Sequence, residues 1–144
     1  MEWKYFVEKT SLIDSRPEHI FTVLKELSQW NQWTKSIIAI SFLKNDRFKT
    51  GAKIEVLQPK LLPAIWTITE ISENKSMVWE KKSIGLKMTA NHFIQDSGEG
   101  SIVKLQIIYQ GFLAMLFYRL TSSLTDTYLT MEIAGLKKKC EEPD

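Results

Sequence analysis

His92, Glu70 and Tyr109 are the side chains whose chemistry stands out from apolar surroundings. His92 lies in KMTANHFIQ, residues 87–95. An unperturbed imidazole titrates at ~6.5, so it can serve as acid or base near neutrality or orient a ligand. Glu70 follows Ile68 by two positions, on the same face of an alternating stretch, and a carboxylate buried there needs a partner or a proton. Tyr109 ends IVKLQIIY, 102–109, with a hydroxyl to offer a ligand. Each has a plainer reading. A lone strand histidine is more often a satisfied structural group, Glu70 stands near a strand end within reach of water, and Tyr109 can simply pack. Beside these, SQWNQW (28–33) sets Trp30 and Trp33 three apart on one face of a helical turn. Trp30 is expected to anchor that turn, and Trp33 either to anchor it or to wall a site.

Several chemistries are set aside. One cysteine, Cys140, and two distant histidines supply no zinc framework, so no metal is expected. No G-x-S-x-G elbow, P-loop or dinucleotide fingerprint occurs, so no cofactor is expected. The formal charge is +2 with acids and bases interspersed, and Lys137, Lys138 and Lys139 are followed by Glu141 and Glu142, which argues against nucleic acid. No signal-peptide h-region follows the charged start, and the longest apolar run, FLAMLFY at 112–118, is too short to span a bilayer. A cytoplasmic chain with no integral membrane association is expected, and a homodimer is left open.

The elements that must position these residues can be read from periodicity. WKYFVEKTSLI (3–13) has strand composition. Ser15 and Glu18 have the S-x-x-E spacing of a capping box, with Pro17 in the first turn, and Ile20, Phe21, Leu24 and Leu27 continue at helical spacing. The period then drops to two in stretches 37–43, 52–58, 64–71, 77–82, 87–95 and 102–109, joined by short turns. From Phe112 the period returns to 3.6. Leu113, Leu116, Phe117, Leu120, Leu124, Met131 and Ala134 form a stripe, with Arg119, Asp126, Glu132 and Lys137 off it. That predicts one helix of ~25 residues, ~38 Å long, with Leu120 buried at its centre. A helix that long needs a sheet curled around it.

The order of elements and several local stretches resemble the START-like (SRPBCC) superfamily, in particular its polyketide cyclase/dehydrase branch and the Bet v 1-like helix-grip fold. The stretches are DSRPEHIFTVL, SQWNQWTKS, TGAKI, WTITEISENKSMVWE and HFIQDSGEGSIVKL, in family order along nearly the whole chain. SENKS departs from the prolines common in the family before its fifth strand, and no catalytic motif carries over. The resemblance implies an α+β chain, one START-like domain over 1–144. A curved antiparallel sheet of about seven strands would surround a long C-terminal helix, with two short helices after the first strand.

A cavity between sheet and helix follows from that resemblance. Alternation nominates its lining: Ile54, Val56, Trp66 and Ile68, then Glu70, Met77 and Trp79. In the sixth strand the phase of Met88, Ala90 and His92 competes with that of Asn91 and Phe93. The last strand offers Leu105, Ile107 and Tyr109, and the helix Phe117, Leu120 and Leu124, with Trp33 at one end. Taken singly, each of these more often just fills a core. As a set they point to binding of a small hydrophobic or aromatic molecule. The alternatives are a polyketide cyclase/dehydrase-like enzyme using His92, Glu70 or Tyr109 as acid/base groups, or a co-chaperone-like protein-binding module.

Overall fold

The computed structural model describes residues 4–143, so Trp3 lies outside the described residues. β1 (Lys4–Ile13) leads into α1 (Pro17–Lys25) and a 3-10 helix (Leu27–Gln32). Then follow β2 (Ala39–Phe42), β3 (Lys53–Leu57), β4 (Ala64–Ser72), β5 (Ser76–Ser83), β6 (Leu86–Asp96) and β7 (Ser101–Gln110). α2 (Ala114–Glu141) ends the chain. The sheet order is β1-β7-β6-β5-β4-β3-β2, antiparallel throughout. The two short helices carry the chain from one sheet edge, β1, to the other, β2, and α2 then lies across the inner face.

The strands form where the sequence alternates, because one face of each packs inward and the other meets water. Ile54 and Val56 of β3, Trp66 and Ile68 of β4, and Met77 and Trp79 of β5 are buried. In β6 the inward phase is the one holding Ala90, His92 and Ile94. Asn91 instead donates to Gln106 of β7 at 2.9 Å. One break in alternation matters. The β4–β5 register shifts between Ile68 and Glu70, so Glu70 lies opposite Val78 and is exposed. A bulge adds one residue to one strand and thereby flips the faces beyond it, which is why Glu70 does not share the inward side of Ile68.

Two local expectations are corrected. The Ser15–Glu18 capping box does not form. Arg16 is the N-cap of α1, no side chain caps it, and the Glu18 carboxylate meets the Arg16 guanidinium instead. The stripe expected to face inward on α2 is also misplaced: Leu120 is 70% exposed and Leu116 51%. Phe117 faces the sheet as expected. Beyond it the residues turned inward follow the expected ones by one position, Thr121 in place of Leu120, Thr125 of Leu124 and Glu132 of Met131. One step along a helix is a rotation of about 100°.

Two glycine contacts fix the ends of α2. A Cβ on Gly135 would lie 1.9 Å from the Trp33 carbonyl oxygen, so only glycine lets the helix backbone approach the end of the 3-10 helix. At the other end Gly111, at φ +116, brings its backbone against Gly85, whose carbonyl accepts the Leu113 N–H at 2.9 Å. Helix phase can be checked by substitution. Leu136 is fully buried, so Leu136→Ala is expected to cost about 2–5 kcal/mol. Leu120→Ala is expected to stay within about 0.5 kcal/mol of wild type. Chemical denaturation of both variants measures the difference, and equal costs would put the inward phase elsewhere.

Candidate functional site

Between the sheet and α2, along the helix from Phe117 to Glu132, lies a cavity of about 740 Å³. That is within the range of small-molecule sites. On the sheet side its walls are Val56, Trp66 and Trp79, then Met88, His92, Leu105 and Ile107. Phe117, Thr121, Thr125, Tyr128 and Glu132 of α2 face them. Trp30 of the 3-10 helix and Ile37 just before β2 border it, Lys60, Leu61 and Leu62 stand on the β3–β4 loop beside it, and Lys81 and Ser83 at the end of β5.

Several nominated residues do not reach this space. Ile54, Ile68 and Met77 are fully buried core residues behind the wall, and Tyr109 is buried beside it. Leu120 and Glu70 are exposed, for the helix-phase and bulge reasons given above. Leu124 is half-buried and outside the lining. The tryptophans exchange roles: Trp30 borders the cavity and Trp33 does not. The Trp30 indole N–H donates to the Leu24 carbonyl at 2.9 Å, which turns its ring over the sheet. Trp33, capping the 3-10 helix, faces Gly135 instead.

The aromatic rings form a row. Trp33 and Trp30 are 5.0 Å apart, Trp30 and Trp79 5.2 Å, and Trp79 and Trp66 6.2 Å between centroids. Such offset and edge-on pairs stabilise beyond area burial and present flat faces. Within the row the indole N–H groups of Trp33 and Trp79 are buried with no hydrogen-bond partner. Trp79 borders the cavity with its ring, while its N–H is buried away from that space.

The titratable groups differ from the expected trio. The His92 ring is buried between Trp30 (5.6 Å) and Trp79 (4.8 Å), and its Nδ1 is 2.9 Å from the Met77 carbonyl oxygen. A carbonyl only accepts, so Nδ1 carries the hydrogen and Nε2 is an acceptor. Burial pushes the imidazole down to about 4, keeping it neutral. The Tyr109 hydroxyl is held between Thr121 Oγ1 (2.9 Å) and Thr125 Oγ1 (2.8 Å), tying β7 to α2. With Glu70 outside, these three do not converge on one point.

Two other groups do face the cavity. Glu132, expected on the outer face of α2, is buried and borders it. Ser36 Oγ donates to its Oε2 at 3.0 Å and is itself bonded to Thr34 Oγ1 at 2.8 Å. Burial raises the Glu132 carboxyl to about 7, against the lowering effect of the Ser36 bond. Lys81 holds its ammonium 5.4 Å from the Trp66 ring centroid, and burial lowers its pKa. The sequence did carry a signal for Glu132: Thr121, Thr125, Tyr128 and Glu132 recur at helical spacing. Apolar periodicity alone overlooks a polar stripe.

A long helix laid across a curved seven-stranded antiparallel sheet recurs in solved structures. Major latex-like protein 151 from Panax ginseng matches with TM-score 0.80 at 14% identity, over 96% of this chain and 99% of that one. The chain has the helix-grip fold. Protein MLL2253 from Mesorhizobium loti shares that helix-grip architecture at TM-score 0.77 and 12% identity, over 97% and 99% of the two chains. Norcoclaurine synthase from Thalictrum flavum, solved with dopamine and hydroxybenzaldehyde, gives 0.74 at 10% identity over 99% and 91%. No family model matches the sequence, and no curated relative does.

The two buried ionisable groups of the helix grip oppose each other in pH. His92, lowered from 6.5 to about 4, gives stability that is full above 6.5 and lost as pH falls toward 4. Glu132, raised from 4.5 to about 7, gives stability that is full below 4.5 and lost as pH rises toward 7. Between pH 4.5 and 6.5 the two slopes offset. Glu132→Gln removes one of them. Relative to wild type, its unfolding free energy is expected to climb with pH in this window by up to about 1.4 kcal/mol per unit. Denaturation at both ends of the window measures this, and parallel wild-type and variant profiles would mean that Glu132 is not held protonated.

Proposed function

We propose that this helix-grip chain binds a small, largely apolar molecule with a flat ring and a hydrogen-bond acceptor. The observation that carries the reading is a mostly apolar cavity walled by the Trp30 and Trp79 rings and faced by the Glu132 carboxyl. One Glu132 oxygen is taken by Ser36, and a polar atom of a ligand would satisfy the other. The faces of Trp30 and Trp79 would take the ring, and Val56, Met88, Leu105, Ile107 and Phe117 the apolar body. On the helix side Glu132, when protonated, supplies a donor, whereas the Thr125 hydroxyl gives its proton to Tyr109 and offers only an acceptor. The reading needs no metal or cofactor. We propose a cytoplasmic location as well, and the lone thiol, Cys140, buried and pushed up to about 12, supports it.

A second reading, acid–base catalysis of the cyclase/dehydrase kind, has one observation in its favour: a cavity carboxyl lifted to about 7. It would work through Glu132 rather than through the neutral His92. Paired probes test the binding reading, 2-acetylnaphthalene with a carbonyl and naphthalene without one, followed through tryptophan fluorescence. Saturable binding of both is expected. Glu132→Ala should weaken the acetyl compound by about 1 kcal/mol more than naphthalene, the worth of one neutral hydrogen bond. His92→Gln should change either affinity by no more than about 1 kcal/mol. Absence of saturable binding across such a panel would leave only a filled core.

A further inference from the structure

The rotation of α2 that turns Thr121, Thr125 and Glu132 toward the cavity also turns apolar side chains outward. Phe112 is 74% exposed and Leu120 70%, and they share the surface with Ile84 at 89% and Leu62 at 87%. These residues come from the start of α2, the tip of the β5–β6 hairpin and the β3–β4 loop. Three links bring the segments to one end of the molecule. The Gly85 carbonyl accepts the Leu113 N–H, and Gly85 packs directly against Phe112, so Ile84 neighbours Phe112. The Tyr128 hydroxyl of α2 donates to the Pro59 carbonyl, holding the β3–β4 loop against the helix. Leu62, Ser83 and Phe117, one from each segment, border the same cavity. The exposed apolar groups therefore surround its mouth.

The charge around that mouth has one sign. Segments 58–65, 81–88 and 112–121 contain Lys60, Lys81, Lys82, Lys87 and Arg119 and no aspartate or glutamate. The nearest acid in sequence, Glu80, pairs with Lys87 at 3.6 Å and leaves the other cations without an acidic partner in these segments. The opposite end, at the β6–β7 loop, carries Asp96 and Glu99. Exposed apolar side chains ringed by lysine and arginine are the composition of surfaces that lie at a bilayer interface. The apolar groups enter the acyl boundary while the cations meet anionic headgroups and their stems lie along the apolar zone.

We propose that this end of the molecule docks on an anionic lipid surface, with the cavity mouth facing the bilayer. Apolar groups spread over a hairpin tip, a loop and a helix face around an opening fit a fluid apolar phase, which conforms to separate projections. Lipid surfaces also hold small apolar molecules, so docking would join such a store to the cavity without passage through water. The docking itself stands whether or not the cavity is filled.

Vesicle flotation of the full chain tests this. Vesicles of phosphatidylglycerol and phosphatidylcholine in equal parts should carry the protein, with binding that falls as salt rises, and phosphatidylcholine alone should carry far less. Ile84→Asp and Leu120→Asp change exposed residues outside the cavity wall. Each should lower partition about tenfold or more, the effect of removing one apolar side chain from the interface, while naphthalene binding is retained. Lys75→Glu, at the β4–β5 turn on the far end, should leave partition unchanged. No partition onto the mixed vesicles, or partition indifferent to Ile84→Asp and Leu120→Asp, overturns the proposal. Self-association abolished by those two variants, without vesicle binding, overturns it in favour of a second copy on the same surface.

Discussion

The Trp33 carbonyl rests against the backbone of Gly135, and the rest of the molecule is arranged around that approach. It fixes the distance between the 3-10 helix and α2, and any side chain at 135 would push them apart. Three residues earlier on α2, Glu132 reaches Ser36, and one turn earlier still Tyr128 holds the Pro59 carbonyl. The second half of α2 is thus joined directly to the segment that follows α1. The first half is tied to the sheet at β1 and β7, through Tyr118 on Tyr5 and Tyr109 with Thr121 and Thr125, and between these ties and the other strands lies the open space. The cavity exists because the sheet keeps curving where the helix, held straight by its own hydrogen bonds, cannot follow.

The open space is lined unevenly. The sheet side is mostly apolar, with the row Trp66–Trp79–Trp30 as its flattest part, whereas the helix side carries Thr121, Thr125, Tyr128 and Glu132. An apolar core would gain nothing from hydroxyls and a carboxyl in those positions, since each must find a partner or remain costly. Tyr109, Ser36 and Pro59 satisfy part of that demand. The second Glu132 oxygen remains open. The polar positions therefore bear on what the cavity can recognise, and the apolar ones on how strongly.

Element order and sheet topology were legible in the sequence because half-buried strands alternate, and six such stretches separated by short turns leave little choice of pairing. The phase of α2 was not legible. Leu113, Leu116, Leu120 and Leu124 form a good apolar stripe, but periodicity reports that a stripe exists and not which surface it faces. Here it turns partly to solvent, and Leu120 with it. Glu70 was misassigned because a bulge after Ile68 adds one residue without any local mark such as glycine. The exchange between Trp30 and Trp33 turns on the bond from the Trp30 N–H to the Leu24 carbonyl, a contact six residues apart that no pattern of residue types encodes. Of the nominated wall, Trp66, Trp79, Met88, His92 and Ile107 do border the cavity, since strand alternation sets the faces directly.

In mechanical terms α2 is a beam held at both ends but more firmly at its C-terminal one. Gly135 against Trp33, Glu132 on Ser36, the Lys137 ammonium on the Leu12 carbonyl and the Asp14 N–H on the Glu141 carboxylate all clamp its last two turns and the stretch just before them. Toward Ala114 its attachments thin to the Tyr109–threonine bonds, the Lys9–Asp126 ion pair and the Leu113–Gly85 bond. Such a beam deflects more toward its looser end. Flexing would therefore widen the aperture between Phe117 and the β3–β4 loop and carry the β5–β6 hairpin along through Gly85, while the indole rings near the firmer end stay in register.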